Sequence, residues 1–434
     1  LLAAANDEVD PGHKFYHFEL MTNMKGYRRY RRHVRTRAGR DVRIFFHANV
    51  LVRPDLSVDV RDKPLPPPEF RDYEDYLCYL RAMVAGVAAN ASDAARTVPF
   101  TPLATISSGY DSPACALLAR DVGASEAITF GRARPGYNEE DDSGSDIAER
   151  IGLRVLEFDR LEYLRLDSLS EAEFLAGGTG GEEVVFAPLE RVLPRTLFFT
   201  GYLGDAVWNR VTGRVNTELL MLYPGGGSLG EFRLRVGFVH FPVPTAGYIR
   251  HPSIFTISNS PAMRPWALGN DYDRPIPRRM LEEIGVPRES FGRTKKAITQ
   301  PLWFNKPLSE LMAPPSYAAF SRFVSPIPLF RGPVEAISFR AMRLLYELNL
   351  RINWRLERIG KRFGKRLGHE TLVPEQYSQD LTESALAFHW GVAETMRRYA
   401  GRALGTRPTP SRRPSPPAPA SSPGAARGRR AATP

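Results

Sequence analysis

The stretch Leu103-Ala104-Thr105-Ile106-Ser107-Ser108-Gly109-Tyr110-Asp111-Ser112-Pro113 decides the fold class of this chain. Its first four residues are a short apolar strand, and Ser107-Ser108-Gly109 is a turn of small residues. A helix follows over Ser112 to Asp121, with Pro113 in its first turn and Gly123 just past its end. Outward from this unit the alternation continues. Ala127–Phe130 is a second strand, Ser145–Ile151 a helix ending near Gly152, Arg154–Phe158 a third strand, and Thr196–Phe199 a further strand closing on Thr200-Gly201. Strand and helix alternating at this pace predict an α/β fold, a doubly wound parallel sheet. Upstream, Tyr73, Tyr76, Leu77, Leu80, Met83 and Val84 recur at helical spacing, after a stiff linker from Asp62 to Pro68 that ends in three prolines. From about Pro252 the chain reads as mostly helical.

Ligands of an open parallel sheet bind outside the carboxyl ends of its strands. The residues at that place are Ser107 to Ser112. Small residues between strand and helix expose backbone N–H groups, and the helix adds the positive end of its dipole, which together suit phosphate or pyrophosphate. Asp111 inside such a turn makes sense as a ligand for a magnesium ion bridging phosphates. The alternative is a plain strand-to-helix turn with Ser112 as N-cap.

The hexapeptide Ser107-Ser108-Gly109-Tyr110-Asp111-Ser112 resembles the Ser-Gly-Gly-x-Asp-Ser signature of the N-type ATP pyrophosphatases, the PP-loop group of the adenine nucleotide alpha-hydrolase-like superfamily. Thr200-Gly201-Tyr202-Leu203-Gly204-Asp205-Ala206-Val207-Trp208 resembles the second motif of asparagine synthases and likewise follows an apolar strand. Tyr272 to Arg279, Gly285 to Arg288 and Phe291 to Lys296 resemble the later half of asparagine-synthase-like domains, where an arginine, one spacer and a lysine close the site. Order and spacing agree over about residues 70–305. The resemblance and the composition together imply four segments. They are a strand-rich 1–66 similar to the end of a glutaminase-like domain, an ATP pyrophosphatase domain over 70–305, a helical extension over 306–404, and a disordered basic tail over 405–434.

It also implies roles. Ser107, Ser108, Gly109, Tyr110, Ser112 and Gly201 would contact ATP, and Asp111 and Asp205 would hold Mg2+. Lys295, or its neighbour Lys296, would offset charge on the leaving pyrophosphate. Three positions depart from the synthase pattern. Ser108 replaces a glycine, Ala206 an acid, and Tyr202 a glutamate; a tyrosine there is what beta-lactam synthetases carry, so Tyr202 is expected to orient or deprotonate an amine. The acidic run Glu139-Glu140-Asp141-Asp142 matches an acidic pair of the family, or is a solvated turn. The implied activity is an AMP- and pyrophosphate-forming amide ligase that adenylates a small carboxylate for capture by an amine or by ammonia. A separate glutaminase or other ammonia source is a possible partner. The alternatives are an RNA-modifying PP-loop enzyme and a non-catalytic nucleotide-binding relative.

Composition bounds these readings. Two cysteines, Cys78 and Cys115, exclude a disulfide scaffold, and Cys115 reads as core. No apolar run of about 18 residues is present, so no membrane-spanning helix is expected, and a cytoplasmic location is. The net charge is +11, and the stretch Gly405 to Pro434 holds six arginines and no acid. That Pro/Ala/Ser-rich tail cannot bury enough apolar surface to fold. Lys25 to Arg43 carries nine basic residues and leads into Val42, Ile44, Phe46, Val50 and Val52, a strand-like region with an Ala-Gly turn before it. Arg351 to Leu367 places Ile352, Leu356, Ile359, Phe363 and Leu367 at steps of three and four, an amphipathic helix with a solvated basic face. Neither block is read as a nucleic-acid site. His13 and His17, four apart, lack the intervening Glu of a metalloprotease helix and read as structural.

Overall fold

The computed structural model describes residues 7–134, 141–178, 180–211, 215–219, 229–270, 272–292, 296–302, 307–362 and 372–403. Four short strands come first, as two antiparallel hairpins: β1 (His33–Arg35) with β2 (Asp41–Arg43), and β3 (Ala48–Val52) with β4 (Val58–Asp62). The first turns at Ala38-Gly39, where Gly39 takes a φ of +77° that favours glycine. The helical turns at Tyr16–Leu20 and Met21–Lys25 were not expected in a segment read as strands.

The centre is a five-stranded, all-parallel sheet of β5 (Thr101–Thr105), β6 (Glu126–Phe130), β7 (Arg154–Phe158), β8 (Thr196–Thr200) and β9 (Val239–Pro242), in the order β7-β6-β5-β8-β9. The α/β class is as the sequence indicated, and four of the strands fall where expected within two residues. The fifth, β9, is an addition. Both faces are covered, so the inner strands carry apolar residues on both sides, as in Leu103-Ala104 of β5 and Leu197-Phe198-Phe199 of β8. Alternate residues serve opposite cores. Ala104, Ala127, Leu197 and Phe199 face a cluster with helix α1 (Tyr73–Ala91) and helix α2 (Asp111–Asp121). Leu103, Ile128, Phe130 and Phe198 face a second cluster, built with α3 (Glu171–Leu175), α4 (Pro314–Val324) and α6 (Ala387–Ala403). Cys115 is buried in the first cluster, as expected.

The N-terminal segment is tied to the C-terminal helices. Nε2 of His389 lies 3.1 Å from the Asp10 carbonyl and 2.8 Å from that of His13, and Phe15 stacks on Phe339. His17 Nδ1 bonds the Gly178 carbonyl at 3.0 Å, and burial pushes its pKa down to about 4, a structural role.

The amphipathic helix expected over Arg351–Leu367 is the end of a longer one, α5 (Pro333–Arg362); residues 363–371 lie outside the described ones. Its apolar face is not where the pattern put it. The helix touches the body along Phe339, Tyr346, Asn353 and Gly360, whereas Ile337, Leu344, Leu348, Ile352 and Ile359 are exposed. Among the described residues no helix is long and apolar enough to cross a membrane. The stretch 405–434 lies outside the described residues.

Candidate functional site

Strands β5, β6 and β7 run outward from β5 in one direction, and β8 lies on the other side of β5. The chain direction therefore diverges between β5 and β8, and a crevice opens there at the carboxyl ends of the strands. It forms a cleft of about 220 Å³ lined by Ser107, Ser108, Gly109, Asp111 and Ser112 from the β5 turn and by Thr200, Gly201 and Tyr202 from the β8 turn. Ile128, Phe130 and Asp142 come from the β6 side, His240 from β9, and Glu183 and Phe186 close another wall. The segment Lys296–Thr299 and Tyr272 complete it.

The two turns interlock at backbone distance. A Cβ on Gly201 would lie 2.6 Å from the Ser112 amide nitrogen, and one on Gly204 2.4 Å from Asp111 Cγ. Only glycine permits that approach. Between them Leu203 takes a φ of +66°, a conformation costly for a side chain of its size and persistent only where surroundings impose it.

Within the β5 turn, hydrogen bonds hold each small residue. Ser107 and Ser112 share a hydroxyl bond of 2.8 Å, and Gly109 N–H donates to Ser107 Oγ at 3.2 Å. Ser108 is the hub. Its amide donates to the Asp142 carbonyl, its hydroxyl donates to Asp142 Oδ1 at 2.9 Å, and it accepts from Lys296 Nζ at 3.2 Å. A glycine here would lose both side-chain links. The departure from the family pattern is thus a side chain that ties the turn to an acid and a cation.

Asp111 is buried and forms an ion pair with Arg274 Nη1. Arg274 is itself 3% exposed. Burial works against its charge, but Asp111, Tyr272 and Asp205 nearby raise its pKa overall. Its ring neighbour Tyr272 lies under the guanidinium at 4.5 Å. The stretch Tyr272–Arg279 is held in place by further contacts. Asp273 accepts from Arg210 at 3.2 Å and from the Gly269 amide at 2.8 Å, and Arg279 lies over the rings of Tyr73 and Trp266.

The expected site residues divide accordingly. Ser107, Ser108, Gly109, Asp111, Ser112, Gly201 and Tyr202 line one cleft. The Tyr110 side chain does not. It is 1% exposed, stacked on Tyr272 at 5.1 Å and beside Phe291. Apolar packing claims its ring, and the expectation that it faces a phosphate is corrected to its ring facing the core. Asp205 opens the short helix Gly204–Val207 behind the cleft lining and acts electrostatically on Arg274. Lys295 lies outside the described residues, as do Glu139 and Glu140. Lys296, the alternative, is in the cleft, where Nζ donates to Ser108 Oγ and to the Asp141 carbonyl. Asp142 belongs to the site rather than to a solvated turn.

Two groups were not anticipated. Arg274 lies in the stretch Tyr272–Arg279, to which the resemblance gives no residue roles. Glu183 belongs to no motif. Only burial distinguishes them, and periodicity carries no signal for a buried acid beside a loop.

The residues suit a magnesium–phosphate group by donor chemistry. Two carboxylates, Asp111 and Asp205, are disposed about one cation, the Arg274 guanidinium, and magnesium takes one or two carboxylates with phosphate oxygens completing its shell. Among the described residues no three His, Cys, Asp or Glu side chains converge as a closed metal cage. Neither a protein-family model nor a curated protein matches the chain.

Proposed function

We propose that the chain is an ATP-dependent amide ligase of the asparagine synthase type, forming AMP and pyrophosphate. The observation that carries this reading is the junction of the two turns. The Ser107–Ser112 turn and the Gly201–Asp205 turn meet at the divergence of the sheet, with Asp111, Arg274 and Lys296 at the meeting point.

In this reading a carboxylate attacks the α-phosphorus of ATP and pyrophosphate leaves. The acyl-adenylate then meets an amine, a step that an unactivated carboxylate is too poor an electrophile to allow. Lys296, anchored by Ser108 and the Asp141 carbonyl, supplies a positioned positive charge for the leaving pyrophosphate. Ser107, Gly109 and Ser112 shape the floor on which the phosphates rest, and Gly201 keeps the opposing turn close. Asp111 and Asp205 would hold magnesium, whose positive charge would offset that of the phosphates. Arg274 keeps the two acids in place by balancing them. Tyr202, on the cleft wall, orients the acceptor.

The test is product analysis with Mg·ATP and a panel of amino acids and dicarboxylates, comparing wild type with Asp111→Asn. AMP and pyrophosphate, lost in the variant, support the reading. ADP and phosphate overturn it. A specific observation favours one second reading, a nucleotide-binding chain without turnover. The amides of Ser108 and Gly109, which a phosphate cradle would offer to the ligand, already donate to Asp142 and Ser107. ATP binding with no AMP from any acid selects it.

A further inference from the structure

Three buried glutamates flank the second core, and they differ. Glu171 accepts from the Ala313 amide and the Ser316 hydroxyl, and Glu173 is paired with Arg235 and Arg398. Glu183 is as buried, at 5% exposure, yet among the described residues its carboxyl meets no donor or cation beyond its own backbone N–H. Buried carboxyls are ordinarily paired. An unpaired one on the wall of a cleft, against Ile128, Phe130 and Phe186, is costly to the fold and available to a ligand.

We propose that Glu183 is the proton acceptor for the amine that enters this cleft, and that the acceptor substrate is ammonia or a primary amine. The inference rests on the ligase reading. In the step, the amine nitrogen forms a bond to the acyl carbon of the adenylate. The bond from that carbon to the phosphate oxygen breaks, AMP leaves with the electron pair, and the proton shed by nitrogen passes to the Glu183 carboxylate. No further reactant is needed.

The surroundings suit the task. Burial, and then the charge of Glu182, push the carboxyl up to about 8, near the working range of a cellular general base. The other titratable and charged groups of the cleft are Asp111, Asp142, Tyr202, His240, Tyr272 and Lys296.

The experiment uses the full chain with Mg·ATP and the acid panel, and two nucleophiles. Hydroxylamine traps an acyl-adenylate without a general base, because it is already unprotonated at neutral pH; ammonium must give up a proton. For Glu183→Gln the expected result is hydroxamate within about 3-fold of wild type and ammonia-dependent amide lower by ~100–1000-fold. Glu183→Asp restores part of the amide rate. Unchanged ammonia capture in Glu183→Gln overturns the proposal, and so does an equal fall of hydroxamate and amide. Absence of hydroxamate from wild type with every acid overturns the ligase reading itself, an outcome distinct from a defect confined to the variant.

Discussion

The junction of the β5 and β8 turns and the helix α5 are opposites in how tightly the chain constrains them. At the junction, Gly201 brings its turn against the Ser112 backbone, Gly204 leaves room for the Asp111 side chain, Leu203 is held left-handed, and Asp111 is clamped by a buried arginine. Along α5, thirty residues rest on the body by a single seam of Phe339, Tyr346, Asn353 and Gly360. The junction concentrates polar burial and conformational strain, which persist only where the surroundings enforce them. Among its described residues the helix has no left-handed residue and no buried charge, and Asn353 is the polar side chain buried in its seam.

The largest loss is expected at Arg274. Replacing it with methionine leaves Asp111 buried without its counter-ion, and breaking such a pair costs about 3–5 kcal/mol. Denaturant unfolding of Arg274→Met is expected to show that loss. The double variant Arg274→Met with Asp111→Asn should recover a substantial part of it, because no uncompensated charge remains. Additive losses would mean that the two side chains do not act as a pair. Next comes Gly201→Ala. Its new Cβ falls on the Ser112 amide at 2.6 Å, backbone that has no rotamer to yield. Overpacking of this kind costs about 1–3 kcal/mol, and AMP formation should fall with stability as the turns separate.

Much of this junction was legible in the chain, and the reasons are local. Small residues between Ile106 and Pro113, or a glycine pair around Leu203, force tight turns whatever surrounds them, so those turns declare themselves. The parallel strands do likewise, because burial on both faces makes each a short apolar run. Ser108 shows the limit of such reading. As a departure from a glycine pattern it is a bare substitution, and only the folded chain shows it joining Asp142 to Lys296. Arg274, Asp142 and Glu183 have meaning through residues at least 34 positions away or through burial alone. The seam of α5 was misread for a related reason. Periodicity locates an apolar stripe but not the surface it meets, and here Ile352 and Ile359 are exposed while Leu356 is half-buried beside the seam.

A sharper form of the comparison comes from pH. The Glu183 carboxyl has a folded pKa raised from 4.5 to about 8. The folded chain therefore keeps a proton that the unfolded chain releases, and stability is present below about pH 4.5 and lost as pH rises through about 8. Glu183→Gln removes that slope. One pKa unit is worth ~1.4 kcal/mol. With allowance for the solvent the cleft admits, the variant should exceed wild type by about 1–2 kcal/mol at pH 8.5 and match it near pH 4.5. Thermal unfolding at the two pH values measures this. Equal stability at both would mean the carboxyl is not held neutral.

The smallest effect is expected on α5, and its smallness is informative. Leu344 and Leu348 are 68% and 52% exposed, so the pair Leu344→Glu and Leu348→Glu removes little that folding had buried. Surface changes of this kind stay within about 0.5 kcal/mol. Tyr346→Ala, two residues from each, empties a seam position that is 8% exposed and should cost about 2–4 kcal/mol. The two variants differ by the side of one helix on which they fall, so their ratio tests the orientation of α5 directly. A large loss from the glutamate pair, with little from Tyr346→Ala, would require the helix to turn by about half a revolution, so that Leu344 and Leu348 faced the body.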